Sequence, residues 1–153
     1  RDFGDQERFS IVDFVEQQNL SSFEQAVENT RAYGGGDGPE DILGGLQNVL
    51  KLSWEASTKV VIHIADAPCH GRQYHNIGDD YPQGDPSGVA PETELKKLMK
   101  RRAHYFFVEI TRHTQQMTSM FARVYENSGY AFEVRKLGDH PEDLLPVVLE
   151  SIK

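Results

Sequence analysis

Residues 58–66 read Thr-Lys-Val-Val-Ile-His-Ile-Ala-Asp, and this stretch decides the fold class. Most of its residues are apolar or β-branched, which is typical of a strand in a parallel sheet that is covered on both faces. We therefore expect a central strand over residues 58–65. Ligands bind such sheets at the carboxyl ends of the strands, and Asp66 follows this strand directly. Asp66 is thus a candidate site residue.

Strands and helices alternate on both sides of this strand. The hydrophobic periods predict, in chain order, a strand over 8–15, helices from Ser21 and from Pro39, the strand over 58–65, a helix over 92–103, a strand over 105–110, a helix over 115–125, a strand over 130–137 and a last helix after Asp139. This alternation favours an α/β fold with a doubly wound, mostly parallel sheet and helices on both faces. No tract reads as a linker or a repeat, so we expect residues 1–153 to form a single domain.

Composition and charge exclude several classes of protein. Sixteen Lys and Arg against 24 Asp and Glu give a net charge of −8, which repels phosphate backbones, so we expect no nucleic acid partner. No apolar run approaches the roughly 18 residues that span a bilayer, so we expect no membrane partner. The single cysteine, Cys69, fits a reducing compartment and a cytoplasmic location. Because the chain begins at Arg1 rather than Met, we expect it to be part of a longer protein.

A glycine-rich turn carries a second candidate carboxylate. Asp37 lies in the stretch Gly-Gly-Gly-Asp-Gly-Pro at residues 34–39, directly before a predicted helix. Two carboxylates that meet at one rim of a sheet can hold a hard cation such as Mg²⁺. We therefore expect Asp37 and Asp66 to converge as metal ligands. The alternative is that Asp37 only caps a helix and Asp66 only closes a turn.

Two glycines inside the helix predicted from Pro39 need a reason. Gly44 and Gly45 each cost a helix about 1 kcal/mol relative to alanine. Their presence indicates a close approach of the helix backbone to the sheet or to the site.

The loop over residues 66–91 is too long and too rich in glycine and proline for a simple connection, and loops of this kind are usually functional or mobile. Because it follows Asp66, we expect it to supply a partner-binding surface around the metal edge. The residues expected on that surface are His70, His75, Asp79, Asp80 and Asp85. The spacing of these aspartates does not fit a helix-loop-helix calcium loop, which also needs a closing Glu.

Cys69 and His70, with His63 and His75 nearby, suggest a zinc site or a nucleophile. The chain lacks the Cys-x-x-Cys pairing typical of structural zinc sites. A catalytic thiol would also need a positioned base and an oxyanion site. We therefore favour neither, and we expect His63 to be hydrogen-bonded within the core.

Two motifs, residues 34–46 (GGGDGPEDILGGL) and residues 58–71 (TKVVIHIADAPCHG), resemble the von Willebrand factor A-type domain. The variants in fungal and protist proteins related to alpha-type kinases are the most similar, and they carry a stretch like residues 78–86 (GDDYPQGDP). The resemblance covers nearly the whole chain. It implies a three-layer, Rossmann-like α/β sandwich with a metal-ion-dependent adhesion site built from three loops. Asp66 matches the aspartate of the third loop, and Asp37 lies where the second loop usually supplies a threonine.

The first loop of that site, Asp-x-Ser-x-Ser, does not occur in this sequence. Residues 1–5 resemble the segment after the family's second strand. The resemblance therefore implies a domain over 1–153 that is incomplete at its N-terminus, lacking the first strand, the first helix and most of the second strand. It also implies that Mg²⁺ binds weakly or not at all and that the isolated chain is marginally stable.

The resemblance implies a non-enzymatic protein-binding or adhesion-type module with a partial or degenerate metal site, at which a partner's carboxylate completes the coordination of the ion. The alternative is a regulatory or scaffolding segment of an alpha-type kinase or other signalling protein, with catalysis outside this chain. No Gly-x-x-x-x-Gly-Lys-Ser motif or kinase loop set is present in the sequence. A metal-dependent hydrolase is a distant third hypothesis, based on the carboxylates and histidines around one loop.

Overall fold

A computed structural model of the chain describes residues 1–31, 33–138 and 140–151. The strands of this part of the chain are β1 (Lys59–Ala65), β2 (Ala103–Glu109) and β3 (Phe132–Lys136). Its α-helices are α1 (Leu20–Glu28), α2 (Ile42–Val49), α3 (Pro91–Lys100), α4 (Gln115–Tyr125) and α5 (Leu144–Ser151). Short 3₁₀ turns cover Gln17–Asn19, Arg112–Thr114 and Pro141–Asp143.

The three strands form a parallel sheet in the order β1-β2-β3. Tyr105 on β2 pairs with Val61 on β1 and with Phe132 on β3. Within the described residues β1 pairs with β2 alone, so the expectation that β1 is a central strand is wrong for this part of the chain. The apolar sequence of β1 is that of a strand with neighbours on both sides, but its second edge has no paired strand here.

The core lies between one face of this sheet and the helices that pack against it. Ala103, Tyr105 and Phe107 alternate along β2 and are fully buried, which places them on one face of the sheet. Helix α3 packs against both α2 and α4, and all three helices contribute to the same core cluster. The α/β class and the parallel sheet flanked by helices are therefore confirmed. A doubly wound sheet with helices on both faces stays a prediction.

The predicted strand over residues 8–15 is wrong, because these residues adopt no regular secondary structure. The segment is held by side chains instead: Asp13 accepts hydrogen bonds from the amide and the hydroxyl of Ser53, at 2.9 and 2.7 Å. Phe14 packs edge-on against Trp54, with ring centroids 5.0 Å apart. A strand needs a neighbour for its backbone hydrogen bonds, and no strand of the described residues pairs with this segment.

A groove of about 610 Å³ lies between this N-terminal segment, α2 and the unpaired edge of β1. Its lining is mostly apolar and includes Phe9, Leu46, Val61 and Ile64. An open strand edge together with an apolar groove is unusual for a soluble domain, since both invite pairing with further polypeptide.

The later elements agree with the sequence prediction within a few residues. Helix α4 has the bounds expected from its hydrophobic period, and α3, β2 and β3 differ from theirs by a few residues. The helix expected from Ser21 begins at Leu20 and ends at Glu28, before the glycine-rich turn. Asp139, after which the last helix is predicted, lies outside the described residues, and α5 begins at Leu144. None of the helices described has the length and apolarity needed to cross a bilayer.

Candidate functional site

The turn that carries Asp37 is attached to the loop that follows β1. The amide of Glu40 donates a 2.9 Å hydrogen bond to the carbonyl of Pro68, and Glu40 forms a parallel bridge with Cys69. This contact brings the glycine-rich turn beside residues 68–71. The sequence motif at 34–46 and the motif at 58–71 therefore meet in space, at the carboxyl end of β1.

His70 lies at the centre of the polar cluster formed there. Its Nδ1 is 2.8 Å from Oδ1 of Asp79, and its Nε2 is 2.7 Å from Oδ1 of Asp2. The side chain is 2% exposed, and its ring contacts the rings of Phe3 and Tyr81 at 5.1 and 5.0 Å. Burial lowers the pKa of His70, but hydrogen bonds to Asp79 and Asp2 outweigh that effect and raise the pKa above its ordinary value. Because carboxylates only accept, both ring nitrogens carry protons in this arrangement.

Asp79 fixes the loop around this histidine. Its carboxylate accepts hydrogen bonds from the amides of Gly71 and Tyr81, at 2.8 and 2.7 Å, and from Nε2 of His75 at 3.1 Å. Burial raises the pKa of Asp79, but the bonds from His70 and from the two amides lower it below its ordinary value overall. Nδ1 of His75 accepts a 3.3 Å hydrogen bond from the amide of Ile77, while its Nε2 donates to Asp79.

Asp37 is a buried carboxylate that is only half satisfied. Its side chain is 10% exposed. Oδ2 accepts a short hydrogen bond from the amide of Asp80 and lies 3.9 Å from Nδ1 of His70. Oδ1 has no hydrogen-bond partner among the described residues. Leaving a buried charged oxygen unpaired costs free energy, so its presence calls for a partner of another kind.

One ligand atom each from Asp2, Asp37 and His70 lies within 4.8 Å of the other two. The sequence predicts Asp37 as a metal ligand with Asp66 and predicts His70 on the partner-binding surface around them, but it does not indicate Asp2. Asp2 is 68 residues from His70 in the chain, and no local pattern marks it. Only the fold brings it to the loop, where it is 8% exposed.

Asp66 is not a member of this cluster. It is an exposed residue that lines the groove beside β1, and its carbonyl accepts a hydrogen bond from the hydroxyl of Thr111. Mg²⁺ prefers oxygen ligands, whereas the groups gathered near Asp37 include an imidazole. The donor set around Asp37 thus fits Mg²⁺ poorly, and the convergence of Asp37 with Asp66 on Mg²⁺ stays a prediction.

The other two residues expected on the partner-binding surface lie on the loop with local roles. Asp80 is exposed and contributes its backbone amide to Asp37. Asp85 accepts a 2.7 Å hydrogen bond from the amide of Ser87, two residues away, and so forms a local turn. Neither belongs to the three-residue cluster. A partner-binding role for His70, His75, Asp79, Asp80 and Asp85 stays a prediction.

Cys69 is a core residue, and His63 is a half-buried residue that lines the groove beside β1. Cys69 is 2% exposed, and burial raises the pKa of its thiol well above the ordinary value, so the thiolate is scarce at neutral pH. Nδ1 of His63 is hydrogen-bonded to the hydroxyl of Tyr105 at 2.7 Å, so the expected hydrogen bond is observed, although the side chain is half-buried rather than within the core. Neither residue joins His70 in a shared site.

Comparison with known proteins relates the chain to a kinase. The chain is 45% identical over 110 residues to the alpha-protein kinase vwkA of Dictyostelium discoideum. This match covers 71% of the chain and 18% of that kinase. No family model and no solved structure matches the chain.

The alpha-kinase relation noted in the sequence is confirmed at this level, because the chain is a partial homologue of an alpha-protein kinase. It spans less than a fifth of the length of that relative. The von Willebrand A-type assignment stays a prediction.

Proposed function

We propose that this chain is a non-catalytic protein-binding segment of a larger signalling protein related to alpha-protein kinases. It binds a protein partner through the loop over residues 66–90 and the turn that carries Asp37, and phosphotransfer is carried out by residues outside the chain. The similarity to vwkA supports the kinase relation. Because the matched 110 residues are a small part of vwkA, it also supports phosphotransfer by residues outside the chain.

The observation that carries the binding role is the way in which Asp79 fixes the loop. Four hydrogen-bond donors converge on its carboxylate, two from histidine rings and two from backbone amides. The loop is therefore ordered without helix or strand, while Arg72, Gln73 and Asp80 point to solvent. A preorganised, exposed loop binds a partner without the entropic cost of ordering it first.

The chemistry of the chain supports a role without catalysis. Its one thiol is buried and protonated, as described above. The sequence lacks a phosphate-binding Gly-x-x-x-x-Gly-Lys-Ser motif, and its triple glycine precedes Asp37, a charge that repels phosphate. These features disfavour a kinase or hydrolase active site within this chain.

A second candidate is an adhesion-type module in which Asp37 and Asp66 hold Mg²⁺ and a partner's carboxylate completes the coordination. The unpartnered oxygen of Asp37 favours this candidate, because a cation would satisfy it. The lack of an Asp-x-Ser-x-Ser loop argues for weak Mg²⁺ binding or none. Partner binding that EDTA abolishes and added Mg²⁺ restores would select this candidate over the first.

The test compares the immobilised chain with two variants in capture of proteins from an extract of its source cells. Asp79→Asn weakens the network that orders the loop, whereas Asp143→Asn removes an exposed charge elsewhere. We expect wild type and Asp143→Asn to retain the same polypeptide, and Asp79→Asn to retain about tenfold less, because the loop must then be ordered on binding. With Mg²⁺ and ATP, none of the three preparations should transfer phosphate.

Two results would contradict this function. If Asp79→Asn and wild type capture equal amounts of the partner and their circular dichroism spectra match, the ordered loop is not needed for binding. Phosphotransfer by the purified wild-type chain would show that catalysis lies within it.

A further inference from the structure

We propose that Asp2, Asp37 and His70 form a binding site for a divalent transition-metal ion of the Zn²⁺ type. The site does not depend on the protein-binding role proposed above, and its ligands differ from the Asp37 and Asp66 pair expected from the sequence. Three independent observations support it: the unpartnered oxygen of Asp37, the charge balance of the cluster and the chemistry of its donors.

The unpartnered oxygen is the first observation. Oδ1 of Asp37 belongs to a side chain that is nine-tenths buried, and it has no hydrogen-bond donor among the described residues. The hydrogen-bond network explains every other member of the cluster, since His70 bridges Asp79 and Asp2. It does not explain Asp37, whose second oxygen already accepts from the amide of Asp80. A metal ion at the cluster supplies the missing partner.

The charge balance is the second observation. Asp2, Asp37 and Asp79 have side chains that are at most 11% exposed, and in the part of the chain described their ion pairs are with histidine alone. Three carboxylates therefore lie together in this part of the chain without a Lys or Arg partner among the described residues. A buried excess of negative charge is costly, and a divalent cation offsets it.

The donor chemistry is the third observation. Two carboxylates and one imidazole approach one another within 4.8 Å. Imidazole is a ligand for zinc, iron, nickel and copper, while carboxylates alone suit magnesium and calcium. Nδ1 of His70 is hydrogen-bonded to Asp79, and metal-binding histidines typically donate their second ring N–H to such a carboxylate. Asp79 therefore holds the ring with Nε2 facing Asp2, and Zn²⁺ binding at Nε2 displaces the proton that this nitrogen donates to Asp2.

The experiment is calorimetric titration of the EDTA-treated 153-residue chain with ZnCl₂ and, separately, with MgCl₂. We expect one Zn²⁺ per chain, and no displacement of Zn²⁺ by an equal concentration of Mg²⁺. Asp37→Asn should weaken Zn²⁺ binding at least about tenfold, as the loss of a ligand charge does. Asp143→Asn is the control, because it removes an exposed charge outside the cluster and its loop, and it should change the affinity by less than about twofold.

Thermal unfolding separates a lost ligand from a damaged fold. In EDTA, Asp37→Asn should unfold at a temperature no lower than wild type, because it removes a buried charge whose Oδ1 has no hydrogen-bond donor among the described residues. With Zn²⁺ present, wild type and Asp143→Asn should gain stability that Asp37→Asn does not gain. If Asp37→Asn does not give the wild-type circular dichroism spectrum, Asp2→Asn takes its place with the same expected loss of affinity.

Cobalt substitution provides an independent spectroscopic measurement. Co²⁺ bound by these three residues should give visible absorption bands that are present in Asp143→Asn and absent in the ligand variants. The proposal is overturned if wild type does not bind Zn²⁺, if the ligand variants bind it as tightly as wild type, or if Mg²⁺ displaces Zn²⁺ at equal concentration.

Discussion

His63 and Tyr105 form a side-chain hydrogen bond of 2.7 Å between neighbouring strands. The histidine ring also packs edge-on against Phe107, with centroids 4.7 Å apart. Burial lowers the pKa of His63 from its ordinary 6.5 to about 4. The native chain therefore favours neutral His63, whereas the unfolded chain protonates His63 more readily.

Stability should accordingly fall in mild acid. Below pH 6.5 the unfolded chain binds a proton at His63 that the native chain does not bind until about pH 4. The free energy of unfolding should thus decrease as the pH falls between these values, by at most about 3 kcal/mol from this residue. Urea unfolding of wild type and of His63→Gln between these pH values measures this contribution.

The variant His113→Gln is the control for this pH dependence, because His113 is exposed. We expect His63→Gln to flatten the pH dependence and His113→Gln to leave it as in wild type. Arg8, Asp41 and Asp66, which line the same groove as His63, are present in both variants. Equal slopes in all three proteins would contradict the assignment.

The residues of the candidate site differ in how far the sequence could predict them. Asp37 and His70 lie in recognisable motifs, and the structure brings them together. Asp2 is a single acidic residue with no periodicity or motif of its own, and it reaches His70 only because the N-terminal segment folds back over the loop. Tertiary contacts of this kind leave no local signal in a sequence.

Helix α2 is organised around Asp41, which caps its N-terminus. The carboxylate of Asp41 accepts a 2.8 Å hydrogen bond from the amide of Gly44 and forms an ion pair with Arg8. A Cβ atom at Gly44 would collide with the side chains of Asp41 and Phe9, whereas a Cβ at Gly45 would meet nothing within 4 Å. A close approach is therefore observed at Gly44, but to Asp41 and Phe9 rather than to the sheet or the site as expected, and none is observed at Gly45.

The two glycines should respond to alanine in opposite directions. Gly44→Ala should destabilise the chain by about 1–3 kcal/mol, because the new methyl group displaces the capping carboxylate and Phe9. Gly45→Ala should be neutral or stabilise the chain by up to about 1 kcal/mol, because alanine favours the helix and meets no obstacle. Chemical unfolding of both variants measures the difference. Equal effects, or a more stable Gly44→Ala, would contradict this account.

The elements show why some predictions succeeded and one failed. Helix α4 was predicted with the correct bounds because a single amphipathic period, carrying Met117, Phe121 and Tyr125 into the core, covers its whole length. Residues 8–15 have the composition of a strand. A strand also needs a second strand with which to form backbone hydrogen bonds, and composition does not reveal whether one is present. The backbone of residues 8–15 is instead placed by contacts with Ser53 and Trp54, which no local period encodes.

Considered as a whole, the described part of the molecule leaves substantial apolar surface exposed. Helix α1 has no buried residue, and Leu20, Phe23 and Val27 on it are 45–57% exposed. The edge strand β1 exposes Ile64 to 44% beside the apolar groove. Exposed apolar surface next to an unpaired strand edge promotes association between molecules. Apolar side chains that stay exposed also contribute little to the stability of the fold.

We therefore expect the isolated 153-residue chain to be marginally stable, with a free energy of unfolding below about 5 kcal/mol, and to self-associate as its concentration rises. Sedimentation velocity combined with urea unfolding measures both properties. Ile64→Lys, which places a charge at the edge strand, should reduce the association. Cooperative unfolding of a monodisperse wild-type chain would contradict this expectation.

The unpaired edge of β1 also has a consequence for competition between partners. A segment tethered to this chain by a short flexible linker acts at a millimolar effective concentration, whereas a separate molecule acts only at its bulk concentration. A covalently linked strand would therefore outcompete free molecules for the same hydrogen-bonding groups. Cleavage of the linker would let that strand dissociate and dilute into solution. The edge of β1 would then be free to bind a separate molecule.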